Sequence, residues 1–428
     1  MSNGNLQRLK HVADIRFSNV DKLSEPDEDP VRLCNYTDVY KNERIAADMP
    51  FMEATATRAE LRRFHLEVDD VVVTKDSETP TDIAVPAVVT STAPDLVCGY
   101  HLAVARPHRM RMDGRFLHRA LQADGVREQF YVQANGVTRF GLSQLAIGNV
   151  LVPAPPVSTQ RRIADFLDRK TAAIDTLIAK KDKLVALLAE KRQALITQAV
   201  TKGLDPTVPM KDSGSAWVGH VPVHWECRRL KQISSRVVVG IAQAATHAYA
   251  DAGIPIVRST NVRPNRISLD DILFIEEGFA NELGSKYIYP GDLLTVRTGN
   301  AGVTAVVPLS LPRCQCFTML ITTLRREHSP EFFSFQLNSE LGRNYFSRES
   351  WGSAQANISV PILQNAPVVV PPPIEQVTIV SALNARLATF DKSIELMERQ
   401  VDRLREYRQA LITAAVTGKL DLSTEAAA

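Results

Sequence analysis

Residues 155–205 return as residues 371–421 without an insertion or deletion, a displacement of 216 positions in a chain of 428. Laid over one another, PPVSTQRRIADFLDRKTAAIDTLIAKKDKLVALLAEKRQALITQAVTKGLD and PPPIEQVTIVSALNARLATFDKSIELMERQVDRLREYRQALITAAVTGKLD agree at 22 of 51 positions. A repeat of this size constrains the fold before anything else, because each copy can rely on the other to cover its apolar face.

Each block opens with a proline pair, Pro155–Pro156 and Pro371–Pro372, which cannot continue a strand ladder and presets the first turn of a helix. No proline or glycine follows until after Ala199 and Ala415, past position 373, so a helix of about 40 residues and about 60 Å is predicted in each copy. In the second copy Phe390, Ile394, Met397, Val401, Leu404 and Leu411 keep a 4-3-4-3 spacing whose missing step falls at Arg408. In the first copy the seam runs through Ile174, Ile178, Val185, Leu188, Leu195 and Ala199, flanked by Leu177 and Leu184 and interrupted by Lys181. Such a seam needs a mate. The other copy in the same chain, paired antiparallel, is the expected one, with a parallel intermolecular dimer as the alternative.

Outside the helices the repeat thins but keeps its frame. Arg8-Leu9-Lys10 lies over Arg229-Leu230-Lys231, Asp38-Val39 over Asn261-Val262, Arg44-Ile45 over Arg266-Ile267, Asp70 over Asp292, and Cys98 over Cys316. Short aliphatic and β-branched runs punctuated by glycine, proline and asparagine predict two globular domains with mixed sheets. The predicted organisation is a first domain at 1–152, a long helix at 153–205, a linker at 206–225, a second domain at 226–368, and a second long helix with a tail at 369–428. The fold class is α+β, or mixed α/β: two globular domains alternating with two long helices that pair as an antiparallel coiled coil, a pseudo-two-fold internal repeat. The linker carries Trp217 and Trp225, which are expected to pin it to a folded surface.

A hydrophobic fraction of 45% and a charged fraction of 23% are ordinary for a soluble protein, and no apolar run approaches a membrane span. MSNGNLQRLK lacks the apolar core of a signal peptide, so a cytoplasmic location is expected. Five cysteines without a second CxC or CxxC encode neither a disulfide framework nor a four-ligand zinc site, and no metal is expected. The net charge of +2 argues against a uniformly polycationic surface, while RPHRMRMDGR at 106–115 leaves local basic patches open. No phosphate loop GxxxxGK[ST] and no GxGxxG after a strand is present. Asp70 with Lys75 lacks the second carboxylate of a nuclease site and reads as a turn and strand. No catalytic residue is expected.

Two domains of one plan, each followed by a long helix opening in PPxxxQ and closing in RQALIT-AVT-G-LD, resemble the DNA specificity subunits of type I restriction-modification systems. The linker MKDSGSAWVGHVPVHWECRRLKQI and the segments IPIVRSTNVRPNRI and YPGDLLTVRTGNAG are similar to that family, as is RLCNYTDVYKNERI in the first domain. VDDVVVTKDSETPTDIAV departs from it, lacking the glycine pair supplied by Gly299 and Gly302 in the second copy.

The resemblance implies that each domain is a target-recognition domain reading one half of an asymmetric bipartite site in double-stranded DNA, with the helix pair setting the unread gap. Half-sites on one face of B-DNA lie about 34 Å apart. The aligned loops nominate Asn35, Tyr36, Lys41, Lys75, Ser77 and Arg139 in the first domain. In the second they nominate Arg258, Ser259, Asn261, Arg263, Arg297, Thr298, Asn300 and Gln355. Arginine pairs with guanine and asparagine or glutamine with adenine in the major groove; turn caps and surface ion pairs are the competing roles. The resemblance further implies that the helices dock two modification (methyltransferase) subunits and, through these, restriction subunits with translocase and nuclease activity. S-adenosylmethionine, ATP and magnesium would be bound by those partners and not by this chain. The RQALIT ends are candidates for partner contacts, or equally for caps of the coiled coil against a domain. A non-catalytic coiled-coil adaptor whose domains bind proteins is the alternative, and an enzyme with carboxylates shared by both copies a third reading.

Overall fold

In a computed structural model, residues 6–242, 246–311, 313–350 and 357–420 are described. The chain divides into two compact units, one running to Asp182 and resuming at Glu398, the other spanning Lys183–Met397. The division falls inside both long helices, Val157–Lys202 and Pro373–Val416, so each helix gives one half to each unit.

In the first unit a five-stranded sheet runs in the order Ala13–Phe17, Leu102–Pro107, Val71–Thr74, Pro86–Val89, Arg44–Ile45. Its alternation is that of a sheet covered on both faces. Val71, Val73, Ala103 and Ala105 enter a core with the helix Gly114–Gln122, while Val72, Ala87, Val89, Leu102 and Val104 enter a second core on the opposite side. That second core is closed by the sheet Met52–Ala56, Asp29–Cys34, Leu96–Cys98, where Cys34 lies opposite Cys98 in a parallel ladder. The second unit follows the same plan with the sheet Ser234–Val239, Leu320–Leu324, Leu293–Thr295, Thr304–Val306 and a parallel ladder placing Val257 opposite Cys316. The frame read from the sequence repeat is therefore a repeat of topology.

The long helices are 46 and 44 residues, about 69 and 66 Å at 1.5 Å per residue. Gly203, at φ +80°, ends the first in the left-handed conformation that stops a helix. The helices pair antiparallel within the chain. In the first unit Asp175 meets Arg408 at 2.8 Å and Lys181 meets Gln400 at 2.6 Å. In the second, Arg192 meets Asp391 at 2.8 Å. The seam residues Ile174, Ile178, Val185, Leu188, Leu195, Phe390, Ile394, Met397 and Leu404 are half-buried, and Val401 and Leu411 are buried; Leu177 and Leu184 stay exposed. Two helices alone leave the rim of a seam in contact with water. The breaks in the apolar pattern, Lys181 and Arg408, each hold a polar partner on the facing helix, a device that fixes register.

Both motifs of the repeat are docking devices. Gln160 is fully buried, accepts from Asp113 N–H at 2.8 Å, and donates to Arg111 O at 2.8 Å and Pro155 O at 2.7 Å. Gln376, 216 positions on, accepts from Ser329 N–H at 2.9 Å and donates to Pro371 O at 2.8 Å. Each helix thus starts anchored to the domain that precedes it. It ends anchored to the other domain: Gln193 donates to Asn338 O and Thr197 Oγ accepts from Glu340 N–H. Gln409 donates to Gln122 O and Thr413 Oγ accepts from Asp124 N–H, again displaced by 216. The polar side chains of the RQALIT ends accordingly cap helix against domain.

The linker is pinned as its tryptophans imply. Trp225 is fully buried, donates from Nε1 to Glu375 at 3.0 Å and meets Phe332 edge-on; Trp217 meets the Tyr345 ring 5.2 Å away.

Candidate nucleic-acid interface

One pair of the aligned loops follows the strands Val71–Thr74 and Leu293–Thr295. In the second unit the loop turns on Gly302, at φ +92°, where a Cβ would stand 2.7 Å from the Phe346 ring. Thr298 then bridges Asn357, and Arg297 O accepts from Ile358 N–H at 2.9 Å. The first unit lacks those glycines and builds the loop differently. Asp76–Ser77 pairs with Phe140–Gly141, which pairs with Asn135–Gly136, giving a three-stranded ribbon, and the return passes through Ala84 at φ 59°.

On the first unit, Arg139 is exposed and its guanidinium donates to Asp76 at 2.7 Å. His101 holds the other oxygen of Asp76, also at 2.7 Å. Tyr36 stacks on Tyr40 with ring centroids 5.5 Å apart, and Tyr40 donates to Asp82 at 2.7 Å. Burial raises the Tyr36 phenol above its ordinary value, against a hydrogen bond with Ser77. Tyr36, Ser77 and Arg139 therefore gather on one patch. Ser77 is itself buried and Lys41 is exposed. Lys75 turns inward, donating to Ser18 O at 3.1 Å and lying over the Phe17 ring; burial lowers its pKa. Asn35 precedes the helix Tyr36–Lys41; its N–H donates to Asp38 and its amide to Leu33 O.

On the second unit Arg297 donates from Nε to Asn357 Oδ1 at 3.0 Å, beside the exposed Thr298 and Asn300. Arg258 donates to Asp271 O, Arg263 to Thr260 O, and Ser259 is exposed. Asn261 is 3% exposed, accepting from Arg258 N–H and donating to Asp270 O, the same turn that Asp38 closes in the first unit. The side-chain groups of Asn261 and Lys75 are thus engaged inside the fold, because a tight turn and a strand end need them there. Gln355 lies outside the described residues. Residues that the sequence did not single out are Asp76, His101 and Asn357. Their role depends on a cross-loop approach over 63 positions for Arg139 and Asp76, which no local pattern carries.

The carboxylates shared by both copies are structural. Asp70 is 1% exposed, caps Glu67 N–H and pairs with Arg106 at 2.7 Å. Asp292 caps Tyr289 N–H and pairs with Arg236 at 3.1 Å. Each accepts more than one donor and faces a guanidinium, which suits a turn anchor and gives no free base. Among the described residues no group of three or more His, Cys, Asp or Glu is placed to hold a metal, and no helix is long and apolar enough to cross a membrane.

Comparison with known proteins agrees with this architecture. No family model matches the chain. The type I restriction enzyme MjaVIII specificity subunit of Methanocaldococcus jannaschii is 22% identical over 64% of this chain and 62% of its own length. The EcoKI specificity subunit of Escherichia coli K12 is 24% identical over 75% of this chain and 68% of its own. The matched stretch thus spans about two thirds of these curated relatives. A solved chain from work on complex assembly and conformational transition of the type I R-M system superposes with a TM-score of 0.71 at 16% identity, covering 97% of this chain and 99% of that one. The HsdS subunit from Thermoanaerobacter tengcongensis gives 0.53 at 17% identity, with 97% of each chain covered.

Fold and repeat together define a duplicated protein in which two mixed α/β domains share a pair of long antiparallel helices. In sequence it is similar to the curated specificity subunits of type I restriction enzymes, and in fold to the solved chains of that system.

Proposed function

We propose that each domain is a target-recognition domain reading one half of an asymmetric bipartite sequence in double-stranded DNA, and that the helix pair sets the gap. The observation carrying this reading is that the domains keep one frame while their loop side chains differ: Arg139 held by Asp76 in one, Arg297 held by Asn357 in the other. Two half-sites of different sequence need that combination. Most contacts would go to phosphate and sugar, for which Lys41, Ser259 and Arg263 are suited, while few side chains read bases.

The chain acts in this reading without catalysis of its own, in the cytoplasm. Two modification subunits dock on the outer helix faces, where Leu177, Leu184 and Leu187 are exposed, and restriction subunits join through them. S-adenosylmethionine, ATP and magnesium are bound by those partners. The test is methylome sequencing of cells expressing the chain with its neighbouring methyltransferase, against cells lacking this chain alone. One asymmetric bipartite motif is expected, and exchanging residues 1–152 changes one half of it. Methylation unaltered by removal of the chain refutes the reading and leaves the protein-binding adaptor.

A further inference from the structure

Resting on that reading, we infer that the ribbon built from Asn135–Gly136 and Phe140–Gly141 is the groove-entering element of the first domain, and that Arg139, positioned by Asp76, reads a guanine. The major groove admits a two-stranded β-ribbon, and this one is presented for it. Its turn carries Val137, 93% exposed, followed by Thr138 and Arg139, both exposed. An aliphatic residue at that exposure has no role in the core, whereas a thymine methyl in the groove would cover it.

Arg139 is preorganised. One terminal nitrogen, Nη2, is fixed on Asp76 at 2.7 Å, and Asp76 is itself held by His101. A guanidinium has five donors in a rigid plane, so fixing one nitrogen orients the remaining donors, and a bidentate contact to guanine O6 and N7 needs two. The second domain supports the argument through the same ladder. Asp76 lies opposite Gly141, as Thr298 lies opposite Asn357. There the arginine sits on the facing segment: Arg297 is held through Nε by Asn357. The side chain that reads and the side chain that positions have changed places across one ladder, while an oriented guanidinium is kept.

The experiment is methylome sequencing with the full chain and its methyltransferase. Arg139→Ala is expected to leave the second half of the motif intact and to relax one G·C position of the first half, with discrimination falling about 5- to 150-fold. Asp76→Ala relaxes the same position. Arg139→Lys relaxes it too, since an ammonium cannot make the planar bidentate contact. An unchanged motif with Arg139→Ala, or relaxation only in the second half, overturns the inference. Loss of all methylation in both Arg139 variants also overturns it, because an exposed side chain held by one carboxylate carries no fold. A wild-type chain that yields no bipartite motif instead overturns the reading on which the inference rests.

Discussion

Replacing Gln376 by leucine tests whether the buried amide of PPxxxQ anchors the second helix. The substitution roughly conserves volume, so the apolar packing around Ile379 and Leu383 stays filled. It deletes the hydrogen bonds to Ser329 N–H and Pro371 O. A buried polar group left without a partner costs about 1–3 kcal/mol. Ser329 is half-buried and water reaches it in part, which puts the total at about 2–4 kcal/mol. The chain supplies its own local probe: Trp217, Trp225 and Trp351 all lie within 183–397, and Trp225 donates to Glu375, the neighbour of Gln376. Urea unfolding followed by tryptophan fluorescence should therefore shift its midpoint down by about 0.7–1.3 M at a slope of ~3 kcal/mol/M. The equivalent Gln160→Leu change, in the unit without tryptophan, should lower the far-UV circular dichroism transition and move the fluorescence midpoint less. A fluorescence midpoint within 0.2 M of the parent for Gln376→Leu, roughly 0.6 kcal/mol at that slope, would refute the anchoring argument.

Arg408 is 16% exposed and bridges Glu43 and Asp175, whereas its repeat partner Arg192 pairs, among the described residues, with the exposed Asp391. Arg408→Met should destabilise by about 1–3 kcal/mol and Arg192→Met by about 0–1, read by circular dichroism and fluorescence respectively. Burial pushes Glu43 up, but Arg119 and Arg408 outweigh it and hold its carboxyl at about 2 against an ordinary 4.5. With the folded value depressed, this stability is present above about pH 4.5 and lost as pH falls toward 2, so Glu43→Gln should flatten that limb of a urea-midpoint profile. His118 is buried and lowered to about 3 from 6.5, chiefly by desolvation. Its contribution is present above pH 6.5 and lost as pH falls toward 3, and His118→Gln should remove the loss that begins near pH 6.

The helices and their pairing were legible because a long 3.5-residue apolar period and a gapless repeat are local, additive signals. Even the breaks at Lys181 and Arg408 were visible, although their partners Gln400 and Asp175 were not. The domains were legible as a frame only. Asp70 and Asp292 occupy one turn in both copies, yet the arginine that pairs with each comes from a different strand, Arg106 from Leu102–Pro107 and Arg236 from Ser234–Val239. An alignment of the two halves cannot carry that exchange, because Leu102–Pro107 lies directly beside the strand after Asp70, whereas Ser234–Val239 lies one strand beyond the neighbour of the strand after Asp292, and a long arginine reaches from either distance. The candidate interface loops were the least legible part. Asn261 has the composition of a base reader but the position of a turn cap, and the three-stranded ribbon that replaces the glycine loop depends on residues 135–141 returning to Asp76.

How one helix pair can hold two domains whose loops differ follows from the chemistry of the docking bonds. Gln160 binds Asp113 N–H and Arg111 O; Gln376 binds Ser329 N–H; Gln193 and Gln409 bind the carbonyls of Asn338 and Gln122; Thr197 and Thr413 accept the N–H of Glu340 and Asp124. In each of these bonds the helix side chain grips a backbone group of the domain, and only Gln409 and Thr413 among these side chains also bind a domain side chain, the Asp124 carboxylate. A backbone N–H or C=O is present whatever side chain the position carries, proline N–H excepted. These backbone bonds are therefore insensitive to most substitutions in the domain, Asp124 excepted, while the motifs on the helix are not free to change. That asymmetry accounts for the pattern in this chain, in which PPxxxQ and RQALIT coincide in both copies and the domains they hold share little beyond strand order.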